Sequence, residues 1–190
     1  MSQLTSAAPA TPITRTLARW MVSFVGFPLG GLAAMILTGP VDSMATALSG
    51  GIVTGAVLGT VQAWAMRLDR RAAATWLLAT AIGLSAGLTI GATLVDFRTG
   101  LGDLVLQGAI TGLAVGAAQS FALFPRIGSV AFAWPVYLAA AWAAGWAITT
   151  SVGVQVEDQF TVFGAAGAVT VTLLTAVLPG ILGRTEKSAS

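Results

Sequence analysis

The sequence predicts an all-α integral membrane protein whose six transmembrane helices form three repeated helical hairpins, a pseudo-threefold bundle. Three observations predict this: an extreme composition, six apolar runs of membrane-crossing length, and a recurring pattern of glycine, glutamine and tryptophan. Of 190 residues, 56% are hydrophobic and 8% charged, against about 25% charged in soluble domains. The mean hydropathy is +0.86. Such a chain lacks the polar surface of a water-soluble globule and is too apolar for a disordered one.

The elements follow in order. Residues 1–14 are uncharged and largely polar, and read as a flexible cytoplasmic tail. Arg15 and Arg19 then precede an apolar run at 20–38, long enough to be an uncleaved first span rather than a signal peptide. Further runs follow at about 43–66, 73–95, 103–124, 129–150 and 160–182. Each is near the ~20 residues that cross a hydrocarbon core as a helix. Glycine, alanine and threonine would weaken such helices in water, but in lipid the backbone has no other partner. A single domain over 15–183 results, with repeat units of about 15–66, 67–124 and 126–182, and a second cytoplasmic tail at 184–190.

The charges sort by side. Arg15, Arg19, Arg67, Arg70, Arg71, Arg126, Arg184 and Lys187 fall on one side of the predicted membrane, and only Arg98 falls on the other. Asp42, Asp96, Asp103, Glu157 and Asp158 lie with Arg98. The positive-inside rule puts the basic side, with both termini, in the cytoplasm.

The repeat is visible residue by residue. A shift of 57 residues carries GIVTGAVLGTVQAWA onto GAITGLAVGAAQSFA, matching Gly51 to Gly108, Gly55 to Gly112, Gly59 to Gly116 and Gln62 to Gln119. In the third copy Gly167 takes the place of Gly55 and Gly112, and Leu174 the place of the two glutamines. Tryptophan followed eleven residues later by glycine occurs three times, as Trp20 with Gly31, Trp76 with Gly87, and Trp134 with Gly145. Repeats of two spans keep one orientation, so the copies should be related by rotation about the membrane normal.

On a helix, residues 51, 55, 59 and 62 share an arc of about 80°, as do 108, 112, 116 and 119. Gly83, Gly87 and Gly91 form a similar stripe on the third span. These small residues are expected to be helix-packing positions, because close backbone approach drives association in lipid. Gln62 and Gln119, near the basic end, suit interhelical hydrogen bonds or one wall of a polar pocket. Gln107, near Asp103, is expected at the outer interface. Pro28 should kink the first span, whereas Pro135 sits near a helix start, where proline is tolerated.

Trp20, Trp64, Trp76 and Trp134 lie near the cytoplasmic ends, where an aromatic belt is expected. Trp142 and Trp146, one turn apart and deeper, are candidates for contact with a ligand or lipid tail, or for simple packing.

The chain contains no histidine and no cysteine. Thiolate and imidazole metal ligation, disulfides, the commonest general base and the softest nucleophile are thereby missing. No ionisable residue falls near the middle of a predicted span, which argues against proton or ion coupling. The outer acids Asp42, Asp96, Asp158 and Glu157 lack EF-hand spacing, so no metal, cofactor or catalytic residue is expected. No basic run suits nucleic acid; Arg67, Arg70 and Arg71 suit anionic headgroups.

A glycine stripe ending in Gln, an aromatic residue, a basic loop and a Trp-led helix resembles a pattern in small multi-span membrane proteins of bacteria. It covers residues 51–76 well and 108–134 less well, where Phe124 and Pro125 replace the basic character of Arg67. The resemblance implies a bacterial inner membrane and no activity. In size and span count the chain is loosely similar to the substrate-binding membrane components of energy-coupling vitamin transporters, although none of their binding residues matches. The expectation is a structural or accessory subunit, packing through small-residue faces with itself or a larger membrane complex and surrounded by lipid. The alternative is a small carrier for a neutral or lipid-like molecule.

Overall fold

The computed structural model describes residues 13–153 and 162–188, and among them every regular element is helical. Glu157 and Asp158 lie outside the described residues. The elements are α1 (Ile13–Val22), a 3₁₀ turn (Ser23–Val25), α2 (Gly26–Thr38), α3 (Met44–Met66), α4 (Arg70–Leu94), α5 (Leu101–Ile127), a second 3₁₀ segment (Gly128–Ala133), α6 (Trp134–Ser151), α7 (Ala165–Thr175) and α8 (Val177–Ser188). Five helical segments are long and apolar enough to cross a membrane: Ile13–Thr38, Met44–Met66, Arg70–Leu94, Leu101–Ser151 and Ala165–Leu182. Their outward faces carry exposed Ile36, Leu37, Leu94, Phe121 and Val136, an apolar surface suited to lipid and not to water.

Local chemistry explains the helix ends. Ser43 and Thr46 form a reciprocal capping box at the start of α3, in which each hydroxyl accepts the other residue's backbone N–H. The Asp69 carboxylate accepts the N–H groups of Arg71 and Ala72 at 2.9 and 3.0 Å and starts α4. Those bonds, that from Ala72 foremost, and the nearby positive charges of Arg126 and Arg71 outweigh partial desolvation and lower its pKa below the usual carboxylate value. The run Leu101–Ser151, continuous in helical content, doubles back at Gly128, whose φ of +59° favours glycine. In the turn that follows, the Ser120 hydroxyl donates to the Ala131 carbonyl at 2.7 Å.

Proline sets the interruptions. Pro28 has no N–H for the Phe24 carbonyl one turn back and crowds it, and the 3₁₀ turn Ser23–Val25 sits at that point. Pro179 stands in the same relation to Thr175, where α7 gives way to α8.

The helices pack as antiparallel neighbours in chain order. Opposite Gly51, Gly55 and Gly59 of α3 stand Ser85, Ala81 and Leu77 of α4. Opposite Gly83, Gly87 and Gly91 of α4 stand Val115, Thr111 and Gln107 of α5. Gly108, Gly112 and Gly116 of α5 meet Trp142, Leu138 and Pro135 of α6. In each series the facing residue number falls as the glycine number rises, as antiparallel packing requires. The circle closes on itself: the Trp20 indole N–H in α1 donates to the Thr172 carbonyl in α7 at 3.1 Å. Phe27 of α2 packs against Phe163 and Trp142, with ring centroids 5.1 and 5.9 Å apart.

The alternation gathers the basic groups at one end. Arg19 Nε donates to the Ala65 carbonyl at 3.3 Å, and Asp69 feels the charge of Arg126. At the other end Arg98 pairs with Asp103 at 3.1 Å.

Candidate functional site

The centre of the circle at its basic end is where the recurring residues meet. Leu58 of α3, Val115 of α5 and Val171 of α7 face one small cavity, and Gln62, Gln119 and Thr175 line it one turn further along. Trp20, Trp76 and Trp134 also line it, together with Phe27, Leu138 and Trp142. The space left is about 10 Å³, near the minimum that holds one water.

Each glutamine ties its helix to the next. The Trp76 indole N–H donates to Gln62 Oε1 at 3.1 Å, joining α4 to α3. The Trp134 indole N–H donates to Gln119 Oε1 at 2.8 Å, joining α6 to α5. Gln119 Nε2 also donates to Thr80 Oγ1 at 2.9 Å, so this one amide spans α4, α5 and α6. The Thr80 hydroxyl in turn donates to the Trp76 carbonyl at 2.8 Å. A buried polar group is stabilising only when its partners are present, and these are supplied across helix boundaries.

Three of the four tryptophans expected in an interfacial belt are instead internal. Trp20 is 1% exposed, Trp76 2% and Trp134 7%; only Trp64 is exposed, at 56%. Depth along the span says how far a residue lies from the membrane surface but not which way the helix turns it. The three buried indoles point inward, where each N–H has an acceptor.

Trp142 and Trp146 are both buried. Their rings meet Phe163 edge-on, with centroids 5.1 and 5.9 Å away, and Trp142 also meets Phe27. Both are packed among this chain's own aromatic side chains, and Trp142 also lines the small central cavity. Gln107, expected at the interface, is 1% exposed, and its Oε1 has no hydrogen-bond partner among the described residues. It is turned toward Gly91 of α4 rather than outward.

The nine stripe glycines sit at the close approaches between helices. A Cβ at Gly51 or Gly55 would lie 2.5 Å from the Cα of Ser85 or Ala81, and one at Gly83 or Gly87 would lie 2.7 Å from the Cα of Val115 or Thr111. At Gly59 and Gly116 the distances are 2.9 and 2.6 Å, to Leu77 and Pro135; at Gly91 it is 3.0 Å, to the Gln107 carbonyl. Gly108 and Gly112 would strike Trp146 and Leu138. Every stripe is therefore covered by a neighbouring helix of the same chain, which leaves none of them as an open groove.

Two register differences separate the structure from the sequence pattern. In the first helix Gly30, not Gly31, meets the next helix, where a Cβ would lie 3.0 Å from the Thr54 carbonyl. The 3₁₀ turn explains this: three residues at about 2.0 Å rise and seven at about 1.5 Å cover the same ~16.5 Å as eleven α-helical residues. Trp20 to Gly30 is thus the geometric equal of Trp76 to Gly87. In the third copy Thr175 lines the cavity beside the two glutamines, while Leu174 is exposed.

A second feature lies outside the circle. At the basic end a cleft of about 660 Å³ opens between α3 and α4, lined by Arg19, Trp64, Arg67, Thr60 and Leu77 among others. Sequence reasoning did not find it, because it needs Arg19 beside Ala65, 46 residues away in the chain.

Among the described residues no cluster of acids could hold a metal ion. No family model, curated protein or solved structure matches this chain.

Proposed function

We propose that the chain is a non-catalytic structural or accessory subunit of a bacterial cytoplasmic membrane, crossing it six times as three hairpin repeats with both termini in the cytoplasm. The observation that carries this reading is the filled centre: the three hairpins converge on about 10 Å³ of free space, too little for a transported solute. The antiparallel fold-back at Gly128 supports counting Leu101–Ser151 as two crossings. The equivalence of Leu58, Val115 and Val171, each followed by a polar residue one turn on, supports the repeat. The gathering of basic groups at one end supports the cytoplasmic assignment.

Since the glycine faces are used within the chain, a partner subunit or second copy would dock on the outer apolar surface, where Phe121 is 79% exposed. The test is copurification from native membranes in mild detergent. A stoichiometric partner or homo-oligomer that is lost on replacing Phe121 and Val136 with charged residues supports the accessory role. A chain that stays monomeric and alone in every detergent overturns it. Because the chain has no native cysteine, single cysteines at Ser43, Asp69, Thr99 and Ser129 report the sidedness of four loops directly.

The alternative, a carrier for a lipid-like molecule, draws on one observation, the cleft beside Trp64.

A further inference from the structure

We propose that the cleft between α1, α3 and α4 is a binding site for one anionic phospholipid, with its phosphate between Arg19 and Arg67 and an acyl chain along Thr60, Ala74 and Leu77. The inference rests on the reading that the basic end lies at the cytoplasmic membrane surface.

The cleft is about 660 Å³, within the roughly 300–1,000 Å³ of small-molecule sites. Its two charged lining residues are both arginines, and no carboxylate lines it. Arg19 is oriented from below: Nε donates to the Ala65 carbonyl at 3.3 Å and one terminal nitrogen to Thr16 Oγ1 at 3.3 Å. A guanidinium has five N–H donors, so the remaining ones are available to a phosphate in a fixed orientation. Arg67 ends α3 in the left-handed region at φ 56°, where its backbone N–H caps the Ala63 and Trp64 carbonyls. Glycine is the usual residue at such a cap. An arginine there carries a conformational cost and places its side chain at the lip of the cleft.

The shape favours a lipid over a free anion. From Arg67 the lining runs inward along α3 through Trp64 to Thr60, seven residues or about 10 Å down a helix. Arg67 and Arg19, the latter bonded to the Ala65 carbonyl, lie toward the basic end. Leu77, which faces Gly59, lies level with Thr60 at the far end of the lining. Exposed Trp64 supplies an indole at the depth where headgroup and acyl chain join. A charged end and an apolar end along one lining match the two ends of a phospholipid.

The test is native mass spectrometry of the purified full-length protein titrated with phosphatidylglycerol, with phosphatidylcholine of the same chains and with inorganic phosphate. One phosphatidylglycerol should bind in preference to phosphatidylcholine. The double variant R19Q/R67Q should weaken binding about 25-fold, at about fivefold for each basic group near an anionic headgroup. R126Q, at the same end of the molecule but outside the cleft, should leave binding within about twofold. Equal binding of both lipids, unchanged binding in R19Q/R67Q, or displacement of the lipid by millimolar phosphate would overturn the proposal. Should R19Q/R67Q fold poorly, T60W, which fills the inner end and leaves both arginines in place, should abolish binding of the lipid, and unchanged binding would overturn the proposal equally. Cysteine labelling of the loops reads sidedness separately. An outward-facing basic end with intact phosphatidylglycerol binding would refute the topology and leave the site standing.

Discussion

The contact between α3 and α4 and the seam where α1 and α2 meet α7 are built in opposite ways. The first uses absence: Gly51, Gly55 and Gly59 leave no side chain, and the backbones approach until a Cβ would strike the next helix. The second uses presence: Phe27, Phe163, Trp142 and Trp146 fill the gap with rings, and one indole bonds to a backbone carbonyl. In lipid, where apolar burial does not favour one packing over another, both work by maximising contact. They should therefore fail in opposite directions, one on enlargement and the other on truncation.

The largest effect tests the tight side. Gly55→Leu and Gly112→Leu each force a helix pair apart at the backbone, so the cost should exceed the about 1–3 kcal/mol typical of overpacking. The purified variants should show loss of the folded state, or a large drop in thermal midpoint by tryptophan fluorescence. Unchanged melting would mean that the helices are not held at this distance.

The mirror experiment comes next. Phe163→Ala opens the ring cluster and should cost about 3–5 kcal/mol, while Gly55→Ala at the other contact should already be harmful although it adds a single methyl. If truncation at Phe163 is harmless, the seam is not sealed by the rings and the two regions do not differ as described.

A smaller effect separates the two glutamines. Gln119 joins three helices and Gln62 two, at about 0.6 kcal/mol for an average interhelical bond in lipid and up to about 1.7. Gln119→Leu should therefore destabilise by about 1–2 kcal/mol, and Gln62→Leu by about half as much. Equal losses in chemical denaturation would show that the bond to Thr80 contributes nothing.

The smallest effect lies in the loop at the basic end. Asp69 has a folded-state pKa below the ordinary value of 3.8, so its capping contribution is present above that value and lost as pH falls through the lowered one. Asp69→Ala should lower the thermal midpoint modestly at neutral pH. The difference from the unaltered protein should disappear below the carboxylate range. A difference that persists in acid would assign the effect to the side-chain stem.

How much of this was legible in the sequence depends on whether the signal was local. The all-helical, apolar character and the spacing of the glycines at the close approaches were, since composition and a spacing of four set the helix and its close-packing face together. The partners of Gln62 and Gln119 were half legible: their depth was plain, but the indoles that meet them come from other helices. Trp20, Trp76 and Trp134 were misassigned to a belt because depth does not report facing. The shift from Gly31 to Gly30 came from a 3₁₀ turn whose only sequence sign is Pro28. The cleft beside Trp64 was not legible, because it needs Arg19 beside Ala65, a contact across 46 residues of chain.

The bond from Trp20 to Thr172 also has a consequence for biogenesis, because its two ends are 152 residues apart. At a synthesis rate of 5–20 residues per second, the donor waits roughly 8–30 s for its acceptor to leave the ribosome. Through that interval the nascent chain is an unclosed arc whose first indole lacks this final acceptor. A chain stopped before Ala165 would lack the acceptor and keep an open edge.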